Sequence, residues 1–174
     1  CKGVTGTMTF LAWNCRGSGG SLRNSKMAHL TRLLTSTKAQ VCFISETRNS
    51  SISHTSFITQ FNVVDATVIP AQGQSRGLWL IGKQDVNTNI VDQSPNYIFA
   101  LCNNNLDNQF GLVYIYGDPH HHNTSTIWSQ VLDFVVTKGS LPIFCMGDMN
   151  DIMNANEKLG PGRPDLRRIN AFCD

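Results

Sequence analysis

The sequence predicts an α/β (α+β) fold of mixed β-sheets with helices on the outside. Apolar, β-rich segments alternate with only two segments of helical periodicity. The order is strand, helix, strand, several antiparallel-looking strands, then strand, helix, strand. A doubly wound nucleotide fold would show more regular β–α alternation and a Gly-rich first turn.

Met8 to Asn14 reads as the first strand. Ser25 to Thr37 reads as a helix with Met27, Leu30, Leu33 and Leu34 on one face, capped by Ser21 or Asn24. Val41 to Ile44 is a short buried strand. Phe61 to Ile69, Gly77 to Ile81, Val86 to Val91 and Tyr97 to Cys102 follow as strands. Polar turns such as Gln72-Gly73-Gln74-Ser75 and Asn103-Asn104-Asn105 separate them. Leu112 to Tyr116 is another strand. Thr124 to Val136 is a helix with Ile127, Val131, Leu132 and Val135 as its buried face. The run Leu141 to Met146 is a buried strand, and Arg163 to Phe172 closes the chain as a short helix. Gly17-Ser18-Gly19-Gly20 lacks both the P-loop ending and GxGxxG spacing, so it reads as a turn.

The 174 residues suffice for one domain with a real core. Charged residues make up 15%, below the usual quarter or so, and net charge is +2. A nucleic-acid partner therefore needs a local basic patch rather than bulk charge. Lys158, Arg163, Arg167 and Arg168 offer a small one, although ordinary surface charge is the simpler reading of them. Six cysteines include no CxxC pair, and Cys42 and Cys145 lie in apolar runs. They read as buried free thiols in a reducing compartment. The sequons at Asn49 and Asn123 then read as chance matches. No apolar stretch nears the roughly 20 residues that span a bilayer. The expected location is nuclear or cytoplasmic, not secreted. Residues 1–7 read as a leader or cut end and 8–174 as the domain, with Met8 a natural start.

Chemistry concentrates where apolar runs stop. Strand ends carry Trp13-Asn14, Ser45-Glu46-Thr47, Tyr116-Gly117-Asp118 and Gly147-Asp148-Met149-Asn150. Parallel strands would bring such ends into one cleft. Asp148 and Asn150 are two apart and point the same way in extended chain. One carboxylate to bind a cation or take a proton, beside one neutral donor to an anion, suits phosphate-ester chemistry.

These blocks carry a resemblance. Leu11-Ala12-Trp13-Asn14-Cys15-Arg16-Gly17, Ile44-Ser45-Glu46-Thr47, Tyr114-Ile115-Tyr116-Gly117-Asp118-Pro119 and Gly147-Asp148-Met149-Asn150-Asp151-Ile152 follow the order and spacing of the endonuclease/exonuclease/phosphatase superfamily. Ser75-Arg76-Gly77-Leu78 resembles that family's Ser-Gly-Gly-Leu strand entry. The opening looks most like the apurinic-type endonuclease domain of plant non-LTR (LINE-type) retrotransposons. The resemblance implies a sandwich of sheets packed face to face and a Mg²⁺-dependent endonuclease, with Mn²⁺ as an alternative ion. It implies Glu46 as metal ligand, with Asn14 holding the metal site and the phosphate. Tyr116 would bond a phosphate oxygen, and Asp148 would orient or deprotonate the attacking water. Asn150 would stabilise charge on the pentavalent phosphate. Tyr114 faces the same side as Tyr116 but reads as core.

One departure stands out. The family also uses a later Asp and a terminal Ser-Asp-His block, and the sequence stops at Asp174 before any such block. His29, His54 and His120 to His122 lie in no Ser-Asp-His context. His29 reads as solvated on its helix and the His run as a surface turn. The expectation is a fold truncated before its closing strands, weak or inactive as a nuclease, and a monomer or aggregation-prone. The expected partners are DNA, through weak local contacts, and a reverse transcriptase domain of the same polyprotein, with no membrane. The activity implied is nicking to leave a 3′-OH. Alternatives are a phosphodiesterase or phosphatase for inositol phosphates or lipids, and a non-catalytic retroelement remnant.

Overall fold

Strands such as Val41-Cys42-Phe43-Ile44-Ser45, apolar without alternation, need cover on both faces. The computed structural model supplies it, describing residues 8–16, 23–48, 61–71, 77–83, 86–103, 108–160 and 162–173. Among the described residues eight strands form two four-stranded mixed sheets. The first holds β1 (Phe10–Asn14), β2 (Val41–Ser45), β4 (Leu78–Lys83) and β3 (Val63–Ile69), in that spatial order. The second holds β5 (Thr88–Ser94), β6 (Tyr97–Cys102), β7 (Phe110–Tyr116) and β8 (Ile143–Asp148). Each sheet contains one parallel pair, β1 with β2 and β7 with β8, and its other pairs are antiparallel.

The sheets pack face to face. Val41, Phe43, Leu78 and Leu80 of the first meet Ile98, Ala100, Leu112 and Tyr114 of the second in one buried cluster. Phe43 stacks on Tyr114 across the interface at 4.9 Å. Helix α1 (Arg23–Thr37) covers the outer face of the first sheet through Leu30 and Leu34, above Ile44, Trp79 and Ile81. Helix α2 (Thr124–Thr137) covers the second through Ile127 and Phe134, above Phe99, Val113 and Ile115. Four layers result, and the central strands β2, β4, β6 and β7 lie buried almost throughout. A short helix α3 (Leu166–Cys173) ends the described chain.

Several expectations need correction. The run ending in β8 is not buried. It is the edge strand of the second sheet, and Phe144 is 48% exposed. Its apolar residues are partly covered on both faces, Met146 between the sheets and Ile143 beneath α2, while Phe10 and Phe110 lie against Phe144. The buried face of α2 is also rotated from the expected one. Leu132 is 61% and Val135 39% exposed, while Phe134 is buried and stacks on Phe99 at 4.9 Å. One large ring that reaches the sheet outweighs two aliphatic side chains on the neighbouring face. Asn24 lies inside α1 rather than at its cap, and Ser21 lies outside the described residues. Val86 is buried in the turn before β5, which begins at Thr88. The turns expected at 17–20, at 72–75 and over 104–105, with Ser75, Arg76, His54, Asn49 and residues 1–7, also lie outside the described residues.

Among the described residues Cys15, Cys42, Cys102, Cys145 and Cys173 are free thiols, the first three buried and the last two exposed. Cys145 therefore departs from the buried-thiol expectation because β8 is an edge. No helix among the described residues is long and apolar enough to cross a membrane. Burial pushes the Cys42 thiol up to about 12 and the Cys102 thiol up to about 11. Both should resist maleimide at pH 7.5 in the native protein while Cys173 labels, as read by mass spectrometry. Tyr114 is fully buried and its hydroxyl has no hydrogen-bond partner among the described residues. An unmet buried hydroxyl costs about 1–3 kcal/mol, so Tyr114→Phe should raise the urea midpoint rather than lower it.

Candidate active site

The two parallel pairs end at the same rim of the sandwich. Asn14 is the last residue of β1, opposite Ser45 of β2, and Tyr116 of β7 lies opposite Asp148 of β8. Glu46 follows β2 directly. A cleft of about 430 Å³ opens here, lined by Trp13, Asn14, Ser45, Asp148, Asp151 and Phe172 among others.

Asn14 joins the sheets. Its Nδ2 donates to Glu46 Oε1 at 2.9 Å and to Asp148 Oδ2 at 2.8 Å, while its Oδ1 accepts from the Arg16 backbone N–H at 2.8 Å. Only that amide orientation satisfies all three contacts, because carboxylates accept and do not donate. Two carboxylates from different sheets thus share one neutral donor. Tyr116 donates from its hydroxyl to Glu46 Oε1 at 3.1 Å. Burial first, then the negative Glu46, push the Tyr116 phenol up to about 12. It therefore remains a donor at any physiological pH.

Asn96 was not singled out by sequence, yet it sets Tyr116. Its Nδ2 donates to the Tyr116 carbonyl at 2.8 Å, and the Tyr116 N–H donates to the Asn96 carbonyl at 2.7 Å. The signal available was the turn Ser94-Pro95-Asn96, whose buried polar residue requires internal partners. Asp118 is a second such residue. Its carboxylate accepts from the N–H groups of His120, His122 and Asn123 at 3.0, 3.0 and 3.1 Å and thereby shapes the His run. That run is a turn as expected, with His120 and His122 exposed.

Asp148 and Asn150 do not extend in parallel. Asn150 adopts φ +52, its N–H donates to Asp148 Oδ1 at 3.0 Å, and its Nδ2 donates to the Gly117 carbonyl at 2.7 Å. The pair is a tight turn rather than a strand continuation. Asn150 thus sits beside Asp148 with part of its amide committed to β7's end. Asp151 comes next. Its carboxylate is 5% exposed and meets the Arg168 guanidinium at 2.6 Å, with His121 Nδ1 3.8 Å away. Burial, then the Arg168 charge, lower the His121 imidazole below its usual value. Arg168 is therefore engaged with the site's flank. The Arg167 backbone N–H donates to Asp165 Oδ1 at 3.0 Å, and the Lys158 ammonium donates to the Arg163 carbonyl at 3.3 Å. His29 is exposed on α1 and lies against Trp13 at 5.5 Å.

The cleft is acidic. Asp148, Asp151 and Glu157 line it, Glu46 stands beside it, and only Asp151 has a close cationic partner among the described residues. An anionic phosphate enters such a place only with a cation. Among the described residues no three His, Cys, Asp or Glu side chains converge to hold a metal alone. Two carboxylates and an amide suit Mg²⁺, which keeps several waters and binds through one or two carboxylates plus substrate phosphate. The donor set therefore fits a hard divalent ion.

No protein-family profile matches the chain, and no curated protein sequence does. Solved structures do match. The catalytic domain of human Nocturnin, with bound sulfate, superposes with a TM-score of 0.61 at 11% identity, over 83% of this chain and 65% of that one. The endonuclease domain of TRAS1, a telomere-specific non-LTR retrotransposon, gives 0.60 at 17%, over 84% and 60%. The 3′ phosphatase NExo from Neisseria, bound to a product DNA hairpin, gives 0.54 at 14%, over 86% and 62%. The chain spans less than two thirds of the length of each. The chain shares the fold of these structures, two mixed sheets packed face to face with helices outside. A retrotransposon endonuclease is among the structures that share it.

Gly147 makes the rim possible. It sits at φ +147, and a Cβ there would collide with the Ile115 carbonyl. Gly147→Ala should lower stability by about 2–4 kcal/mol, combining left-handed strain with the clash. Gly160→Ala, also at positive φ but in open space, should cost only about 1–2 kcal/mol. Urea unfolding of both variants measures the difference.

Proposed function

We propose that the chain is a metal-dependent DNA endonuclease-like domain. It hydrolyses phosphodiester bonds to leave a 3′-OH, as in target-site nicking by a plant LINE-type retrotransposon. The convergence of Asn14, Glu46, Tyr116, Asp148 and Asn150 at one acidic rim carries this function. A bound Mg²⁺ or Mn²⁺ supplies charge to offset the phosphate, held by Glu46 with help from Asn14. Asp148, aimed by Asn14 and by the Asn150 N–H, orients the attacking water and takes its proton. Tyr116, protonated throughout, would turn its one O–H from Glu46 to a phosphate oxygen once a cation engages the Glu46 carboxylate. Asn150, whose side chain also reaches the Tyr116 hydroxyl, would turn that amide hydrogen to the developing charge.

Catalysis by this chain is slow. No histidine lines the cleft among the described residues, and lacking a positioned general acid for the leaving oxygen costs roughly 10²–10⁴ in rate. The partners are DNA and, in a longer polyprotein, a reverse transcriptase domain. The chain is monomeric but prone to aggregate at the β8 edge, where Phe144 is exposed. A non-catalytic remnant is the second reading, favoured by that same lack of a cleft histidine.

Supercoiled plasmid in Mg²⁺ should be nicked slowly, and Asp148→Ala should abolish the reaction. The nicks should prime a polymerase without phosphatase treatment, which reports a 3′-OH. Mn²⁺ should bind the wild type and not Glu46→Gln. Metal binding without nicking would favour the remnant, and nicking in EDTA would exclude the proposed mechanism.

A further inference from the structure

Beside the cleft lies a second cavity of about 310 Å³, within the range of roughly 300–1,000 Å³ common for small-ligand pockets. His121, Thr124 and Trp128 at the start of α2 form one side. Arg168 and Phe172 of α3 form the other, with Asp151 between. Asp151 and Phe172 also line the cleft, so the two spaces adjoin along that wall. Trp128 and Phe172 are half-buried, with ring centroids 5.5 Å apart and planes tilted by 49°. At that tilt neither ring covers the other's face, which leaves aromatic surface for a third planar group. Arg168 is fixed by Asp151 at 2.6 Å, yet its side chain is 41% exposed. A guanidinium has five N–H donors, so one held bond leaves others for an oxyanion. A cation already held in place loses little freedom when an anion binds it.

We infer that this cavity is a subsite for the nucleotide next to the scissile one. It takes an unpaired nucleobase against Trp128 and Phe172, with that nucleotide's phosphate on Arg168. The inference rests on the phosphodiesterase reading of the adjoining cleft. A base inside a duplex has both faces stacked and its edge paired, so the subsite selects single-stranded or frayed DNA. Base–aromatic stacking is sequence-tolerant, because every base has a π-face. The subsite therefore discriminates strand state rather than base identity.

Binding in Ca²⁺ tests this without turnover. A fluorescein-labelled ten-residue oligothymidylate is compared with an abasic strand of equal length and charge, and with the corresponding duplex. The wild type should bind the oligothymidylate roughly tenfold more tightly than the abasic strand, within the span of one base–aromatic stack. It should bind the duplex more weakly than the single strand. Phe172→Leu should shrink the base preference to within about twofold while leaving abasic binding unchanged. Trp128→Phe provides a second variant, and the wild-type comparison stands even if both fold poorly. Equal binding of thymidylate and abasic strands, preference for duplex, or full base preference in Phe172→Leu would each overturn the subsite. Base preference without any nicking would retain the subsite and remove the nuclease reading of the cleft. Nicking without base preference would remove the subsite alone.

Discussion

The structure depends on one amide. Asn14 ends β1 in the first sheet and donates to Glu46 on its own sheet and to Asp148 on the other. Two negative charges approach one another closely there, which is unfavourable unless a donor stands between them. The bridge holds only if the ends of β1, β2, β7 and β8 reach the same rim. That requirement explains why each sheet contains a single parallel pair, with all four of those strands running towards the cleft. The antiparallel strands β3 to β6 complete the sheets and supply the buried faces.

Packing delivers the alignment. Phe43 on Tyr114 sits at the interface between the sheets. Offset aromatic pairs add about 0.5–1.5 kcal/mol beyond their buried area. They also fix the lateral position of one sheet on the other. The residues just beyond, Ser45-Glu46 and Tyr116, inherit that position. Backbone pairing completes it, since Asn96 clamps Tyr116 from the β5–β6 turn. Core and site are thus consecutive stretches of the same strands.

Much of this was legible in the sequence. Every strand and both long helices lie within a few residues of their expected places, because apolar runs and turn residues mark them. Asn14, Glu46, Tyr116 and Asp148 were visible as polar residues where those runs stop. What stayed hidden involved contacts between distant segments. The rotation of α2 could not be read from its own residues, since Leu132 and Phe134 are both apolar and only the sheet beneath selects between them. The exposure of β8 depends on which strands lie beside it, and composition does not encode an edge. Asn150 looked like a strand residue because its left-handed backbone arises from the bond to Gly117, 33 positions away. The ion pair of Asp151 with Arg168 spans 17 positions, and sequence offered only two separate charges.

Several residues at the rim hold backbone shapes that L-amino acids seldom choose. Arg16, Glu46, Arg48, His121 and Asn150 all have φ between +48 and +60. Each such residue costs on the order of 1 kcal/mol and persists only while its surroundings enforce it. The Glu46 carboxylate and the Asn150 amide are therefore carried on segments that would relax once local support is lost. Local opening of the rim needs less free energy than separating the sheets. On warming, the cleft should lose its arrangement while the sandwich beneath is still folded.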